Sequence, residues 1–428
     1  MGRSLTLSLY LAAARRGDAI VRRRLLRRDG TPAHARQRMG QSPGPRPEGP
    51  VVWLHLARPE FFSHVRDLLH RMADQRPELC FVLTVPQHNA QTLDPADLPN
   101  GSKMILAPSD TGRSVRNFLD HWRPELCIWV GLDLRPLLCV ETERRDIAML
   151  AIDGPQVQVL QRNWRWFPGL TGAIMSRFSR TLVKDASAAI RRRKLGVPPR
   201  SIEELGQLEE TTPALPCNEA ERDALASDIA ARPVWLAAQI CGEEDEIIMQ
   251  AHCAALKRAH RLLLILVPDD PARASEIAGR YALEGLSVAI RSEGQDPGPE
   301  IQVYIADYED EMGLWYRLAP LSFMGRSIGA GGGITPNDPA ALGSAILHGP
   351  NVHNFRDAYA RLAAAGATIL VRDAEQLSAA IELLQAPDKP AVMAHAAWDI
   401  SSSAAEVTDR LIQLGFEAID LREERGVL

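Results

Sequence analysis

GLWYRLAPLSFMGRSIGAGGGITPNDPAALGSAILHGPNVHNF, residues 313–355, contains a strand, a glycine-rich corner, a helix and a second strand. The apolar run LSFMG (321–325) predicts a buried strand, the next stretch a helix over 338–344, and AILHGP (345–350) the following strand. Two short apolar strands joined through a helix form a parallel crossover unit. Between them stand Gly329, Gly331, Gly332 and Gly333. Glycine is needed where the backbone turns through positive φ or approaches a ligand closely. Free N–H groups at the start of the next helix suit a phosphate. The corner therefore reads as a nucleotide-binding turn.

The same alternation extends outward in both directions. In the second half VWLAAQI (234–240), LLLILVP (262–268), VAIR (288–291), VYIAD (303–307) and TILV (368–371) read as strands. Helices are predicted between them at 243–258, 271–284, 309–318 and 354–365. In the first half VVWLHLA (51–57), LCFVLTV (79–85), LCIWVGL (126–132), IAMLAID (147–153) and TLVKD (181–185) alternate with helices at 61–74, 114–122, 135–144, 170–178 and 186–195. Continuous apolar strands alternating with helices predict α/β architecture, with parallel sheets covered on both faces. The expected plan is two doubly wound, Rossmann-like domains. Their boundaries divide the chain into an arm and linker (1–44), a first domain (45–205), a linker (206–232), a second domain (233–400) and a C-terminal helix and tail (401–428). Ligands in such folds sit at the carboxyl ends of the strands, and a cleft between two domains is the natural active site.

With 428 residues the chain exceeds one ordinary core. A net charge of −5 argues against a nucleic-acid binder. The charge is uneven, however. Ahead of Pro50 lie Arg15, Arg16, Arg22, Arg23, Arg24, Arg27, Arg28, Arg36, Arg38 and Arg46, with Asp18, Asp29 and Glu48 among them. Residues 4–28 read as a basic amphipathic helix, with Leu7, Tyr10, Leu11, Ala14, Ile20, Val21 and Leu25 near helical period. Such a helix either lies on an anionic bilayer or packs, solvated, on its own domain. The apolar segment Leu5–Ala14 is followed by arginines, the reverse of a signal peptide, and no run of 18 apolar residues spans a membrane. The six cysteines form no CxxC pair and read as buried reduced thiols of a cytosolic protein. No metal site and no cofactor is expected.

Longer segments carry a resemblance. RPEGPVVWLH (46–55), PSDTGRSVRNFLDHWRPEL (108–126), GEEDEIIMQAH (242–252), LLLILVP (262–268), GLWYRLAPLSFMG (313–325), PNDPAALGSAILHGPNVHNF (336–355) and DAYARLAAAGA (357–367) occur in this order. In these the chain resembles the GT-B glycosyltransferases, and among them the bacterial Kdo transferases. These enzymes move 3-deoxy-D-manno-octulosonate (Kdo) from CMP-Kdo to a lipid A precursor. The resemblance implies two domains facing across a cleft and an inverting, metal-independent transfer. A carboxylate would take the proton of the acceptor hydroxyl, and basic groups would stabilise the departing phosphate. It also implies a peripheral protein on the cytoplasmic face of the inner membrane.

Carried over residue by residue, the resemblance is uneven. The family's base lies in an H-A-x-S-x-G-E loop, and here His55 to Phe61 read HLARPEF. Glu60 comes one residue early, after Pro59. It is either the base of a shortened loop or a surface residue opening the next helix. In the V-E-x-E-x-W-P pattern Gly131 replaces the first acid and Asp133 stands for the second. Glu209 replaces the cation of T-G-N-L-K, and Asp269 with Asp270 replaces an Arg-His pair. The S-T-H-x-G-E-E motif reads Ala238 to Glu244 and keeps Gly242 and Glu243. The M-G-E turn reads Glu309, Asp310, Glu311. G-G-H-N-P-x-E reads Gly332, Gly333, Ile334, Thr335, Pro336, Asn337, Asp338. His348 and His353 flank the same loop. Two readings follow: a working Kdo transferase, or an impaired paralogue that binds or regulates at the inner membrane.

Overall fold

The computed structural model describes residues 5–28, 32–42, 44–86, 97–154, 169–206, 208, 215–229, 232–386 and 388–426. The chain forms two compact units. One comprises Met1–Thr211 with Ala404–Leu428, and the other Thr212–Ser403.

The first unit is built on seven strands: β1 (Val51–Leu56), β2 (Cys80–Val85), β3 (Lys103–Leu106), β4 (Leu126–Val130), β5 (Ala148–Ile152), β6 (Arg180–Val183) and β7 (Ile202–Glu204). Their order is β3-β2-β1-β4-β5-β6-β7, and every pairing is parallel. Successive side chains of a strand point to opposite faces. Val51 and Trp53 accordingly join one buried cluster, with Phe118, Trp122 and Trp129, while Val52, Leu54 and Leu56 join another. Both faces are thus covered, which is why β1 reads as an unbroken apolar run. Val407, Leu411 and Ile419 of the last helix (Asp388–Glu424) lie in the Val52–Leu54–Leu56 cluster. The terminal segment is therefore not a separate helix from 401 but the end of one that begins at Asp388.

The second unit repeats the plan with β8 (Val234–Ile240), β9 (Leu263–Pro268), β10 (Val288–Ile290), β11 (Val303–Ile305), β12 (Leu321–Met324), β13 (Ala345–His348) and β14 (Thr368–Leu370). The order is β10-β11-β9-β8-β12-β13-β14, again all parallel. Trp235 and Ala237 face one cluster, and Val234, Leu236 and Ala238 the other. Both units are doubly wound and Rossmann-like, the expected components of a GT-B glycosyltransferase.

The basic arm is not one helix. It breaks at Gly17 into Leu5–Arg16 and Asp18–Arg28. The expected apolar stripe packs inward, with Leu7 buried in the Trp53 cluster and Leu11 and Ala14 against it. Tyr10 donates to Asp110 at 2.8 Å, Arg15 pairs with Glu141 at 3.1 Å, and Asp18 accepts from the Arg113 N–H at 3.0 Å. Ile20 departs from the stripe and is 73% exposed. Of the six thiols only Cys127 and Cys139 are buried, and the other four are half-exposed; none is in a disulfide. No described helix is long and apolar enough to cross a membrane.

Candidate active site

In a doubly wound sheet the crevice opens where the strand order reverses, at the carboxyl ends of the strands. In the first unit that point lies between β1 and β4. Four side chains meet there. His55, near the end of β1, places Nε2 at 3.1 Å from Asp133 Oδ2 and Nδ1 at 2.9 Å from Thr84 Oγ1 on β2. Arg135 holds Asp133 at 2.7 Å and donates to the Pro108 carbonyl at 2.7 Å. Trp53 Nε1 donates to Thr84 at 2.8 Å.

Burial pushes the His55 pKa down despite its bond to Asp133. The ring is therefore neutral, with Nε2–H donating to the carboxylate and Nδ1 accepting from the Thr84 hydroxyl. Burial works against the charged form of Asp133, but the Arg135 guanidinium and the His55 hydrogen bond outweigh it. Together they hold the carboxyl well below the usual range. Asp133 is thus an anion whose charge is balanced by Arg135 and whose Oδ2 takes both hydrogen bonds. Glu60 lies beyond β1 on a single turn, Pro59–Phe61, whose Pro59 and Phe61 are buried while Glu60 is exposed. Asp110 closes the neighbouring loop, accepting the N–H groups of Leu137 and Leu138 at the start of the helix Pro136–Glu143 as well as the Tyr10 hydroxyl.

In the second unit the reversal lies between β8 and β12. Glu244, with no exposed surface, accepts from the N–H groups of Arg326, Ser327 and Ile328 at 2.6, 2.9 and 3.0 Å. It thereby ties the end of β12 to the end of β8. Two non-glycine residues here adopt left-handed backbone, Gln239 (φ 53°) and Arg326 (φ 57°), and β8 shifts register between Ala237 and Ile240. Such outliers persist where the surroundings over-determine them, often at functional sites. The glycine corner then wraps onto the loop after β13. Gly332 and Gly333 have φ of 79° and 80°, and a Cβ on Gly332 would lie 2.5 Å from Asn354 Nδ2. Asn351 Nδ2 donates to the Gly329 carbonyl at 2.6 Å.

Residues 33–210 match the family model described as 3-Deoxy-D-manno-octulosonic-acid transferase (kdotransferase). That stretch of the chain is similar to the domain so described. It is 24% identical to the 3-deoxy-D-manno-octulosonic acid transferase of Rickettsia bellii, over 79% of this chain and 80% of that one. To the enzyme of the same name in Haemophilus influenzae it is 24% identical over 88% of each chain. Among solved structures it is similar to the C-terminal CMP-Kdo binding domain of WaaA from Acinetobacter baumannii, with 26% identity, 44% of this chain and 98% of that chain covered, and a TM-score of 0.39. On the family match and the two transferase relatives, the protein is a glycosyltransferase.

The first unit gathers Asp133 with His55, Thr84 and Arg135, none of the latter three expected from the motifs alone. The signals were a histidine and a threonine inside otherwise apolar strands. The acids at the motif positions of the second unit mostly have internal partners. Asp269 pairs with Arg273 at 3.0 Å, and Asp270 accepts from the Ala272 N–H at 3.0 Å. Arg273 also bonds the buried Asp245. The Asp269 charge is thus balanced by an arginine four residues on. Glu311 bonds Arg291, and Asp310 is exposed. Glu209 and the side chain of Glu309 lie outside the described residues. Gly242 and Glu243 follow β8, and Glu243 accepts from the Ala330 N–H at 3.3 Å. Thr335 accepts from the Asn337 N–H at 3.3 Å, and Pro336, Asn337 and Asp338 open a helix of only 6 residues, Asn337–Leu342. His348 is buried beside Tyr359 and donates to the Gly349 carbonyl.

Proposed function

We propose that the protein transfers Kdo from CMP-Kdo to a lipid A precursor (lipid IVA), with inversion and without a metal, at the cytoplasmic face of the inner membrane. The observation that carries this reading is Glu60. Within the stretch that matches the family model, an exposed carboxylate stands on a short turn after β1 whose Pro59 and Phe61 are buried. Glu60 takes the proton of the acceptor hydroxyl. The hydroxyl oxygen bonds to the anomeric carbon as the bond to CMP breaks on the opposite face, and the electron pair leaves with the CMP phosphate. Asp133 does not serve as a second base, because its charge is held by Arg135 and His55. It keeps the loop after β4 in place. Gly242, Glu243, the glycine corner and Thr335–Asp338 form the donor side.

The acceptor is a lipid, and the outer stripe of the first helix suits a lipid surface. Leu5 and Leu9 are 80% and 72% exposed, with Arg16 and Arg23 exposed nearby. The test is purified full-length protein with CMP-Kdo and lipid IVA. A Kdo-lipid product supports the reading, and absence of both turnover and CMP-Kdo binding in calorimetry rejects it. A second reading, an impaired paralogue that binds without turnover, is motivated by the acids Glu209, Asp269 and Asp270 where the family has cations. It predicts donor binding with no product.

A further inference from the structure

At the lip of the second crevice stands a cation that no described residue engages. Arg326 follows Gly325 at the end of β12. Its backbone is held from both sides, its N–H by the buried Glu244 carboxylate and its carbonyl by the Gly333 N–H at 2.7 Å. Its φ of 57° lies in the left-handed region, where a side chain is disfavoured and glycine is not. A Cβ on Gly331 would stand 2.7 Å from the Arg326 Cβ, so the corner gives up a side chain to seat this one. The guanidinium is exposed and has no hydrogen-bond or ion-pair partner among the described residues. The neighbouring Arg273 and Arg280 are instead taken up by Asp245, Asp269 and Glu246.

We infer that Arg326 contacts the donor, gripping an anionic group of a nucleotide sugar, phosphate or carboxylate, at the crevice between β8 and β12. The inference rests on the donor reading above. A planar guanidinium matches either oxyanion through two parallel N–H bonds. The strained backbone fixes the stem, so less freedom is lost on binding. On the other side of the corner His353 donates Nδ1–H to Asn351 Oδ1 at 2.8 Å. Its Cε1 lies 2.6 Å from where a Gly332 Cβ would stand. The guanidinium stem and the imidazole thus bracket the consecutive glycines 331 and 332.

The test uses full-length protein and the variants Arg326→Gly, Arg326→Gln and Arg326→Lys. Each is titrated calorimetrically with CMP-Kdo, CMP, UDP and inorganic pyrophosphate, and melted without ligand. Arg326→Gly relieves the left-handed strain, so it should melt higher than the parent yet bind CMP-Kdo about 10-fold or more weakly. Arg326→Lys should keep part of the affinity. Loss of affinity in Arg326→Gln, which keeps the backbone restraint, with partial retention in Arg326→Lys, assigns the effect to the cation and not to the shape of the corner. Unchanged affinity in Arg326→Gly and Arg326→Gln, or a lower melting temperature accompanying the loss, overturns the inference and leaves the donor reading standing. Arg326-dependent binding of UDP or pyrophosphate without CMP-Kdo binding removes the donor reading and keeps the inference. No binding of any of the four anions removes both.

Discussion

Two carboxylates near the first crevice, Glu60 and Asp133, differ in what their surroundings let them do. A general base must be free to take a proton near neutral pH. Asp133 is hydrogen-bonded by His55 and Arg135 and is held ionised by the guanidinium, so it gains little by accepting one. Glu60 is exposed on its turn. On the transferase reading, Glu60→Gln should lower kcat by about 10²- to 10⁴-fold while leaving CMP-Kdo affinity in place. Asp133→Asn should instead lower the melting temperature, because it leaves the Arg135 charge buried without a counter-ion. Equal kcat losses in the two variants with no change in melting would reverse these roles. Glu60 and Asp133 were legible as candidates because motif frames mark positions. Their division of labour was not, because it depends on His55 and Arg135, and no spacing rule brings β1, β2 and the loop after β4 together.

Most of the strands that were legible are buried, though the half-buried edges β10 and β14 of the second sheet were legible too, from the apolar runs VAI and TIL. Each buried strand reads as a continuous apolar run because helices or chain termini cover both sheet faces. The two unrecognised strands, β3 (KMIL) and β7 (IEE), are both edges of the first sheet. Edge strands are short and carry charges, which guard against pairing with another chain and also erase the apolar signal. The helix Glu219–Ile229 was likewise missed, since its acid-rich sequence buries only Leu225 and Ile229. At the centre of the second unit, β8 and the helix Asp245–Leu256 share a buried pair that gives a pH prediction. His252 Nδ1 accepts from Trp235 Nε1 at 3.2 Å, so Nε2–H donates to the Gln302 carbonyl at 3.0 Å and the ring is neutral. Burial, with the Arg232 charge adding to it, pushes its pKa from 6.5 down to about 4. Above pH 6.5 the folded and unfolded forms are both neutral and the contribution is complete. Below it the unfolded chain takes a proton that the fold refuses, so stability falls as pH drops from about 6.5 to about 4. The loss sums to roughly 3 kcal/mol. Urea midpoints of the parent should decline across this window by more than those of His252→Gln, and parallel declines would remove His252 as the cause.

Over the whole molecule a net charge of −5 conceals an arginine-rich first fifty residues. The arm's two faces explain why one amphipathic pattern supported two readings. Leu7, Tyr10, Leu11 and Ala14 follow one helical stripe and engage the first unit. Leu5 and Leu9, four residues apart, lie on the opposite stripe with Arg16, and Ile20 and Arg23 are exposed on the next helix. The helix is therefore packed on its own domain and still offers a second, apolar-and-basic face to a membrane. Each exposed leucine or isoleucine contributes at most about 1.5–3 kcal/mol when fully buried. Each arginine near an anionic surface adds about 1 kcal/mol. Neither suffices alone, and together they give reversible binding that needs anionic lipid. Full-length protein should float with vesicles containing phosphatidylglycerol, less so with purely zwitterionic vesicles, and less again at high salt. The double variant Leu5→Glu with Leu9→Glu should lose most of this flotation. It should keep the parent's melting temperature, because these two side chains are exposed rather than part of the packed stripe. Turnover on a short, water-soluble acceptor should persist in that variant while turnover on vesicle-borne lipid falls. Equal loss on both acceptors would place the defect in the site and not at the membrane.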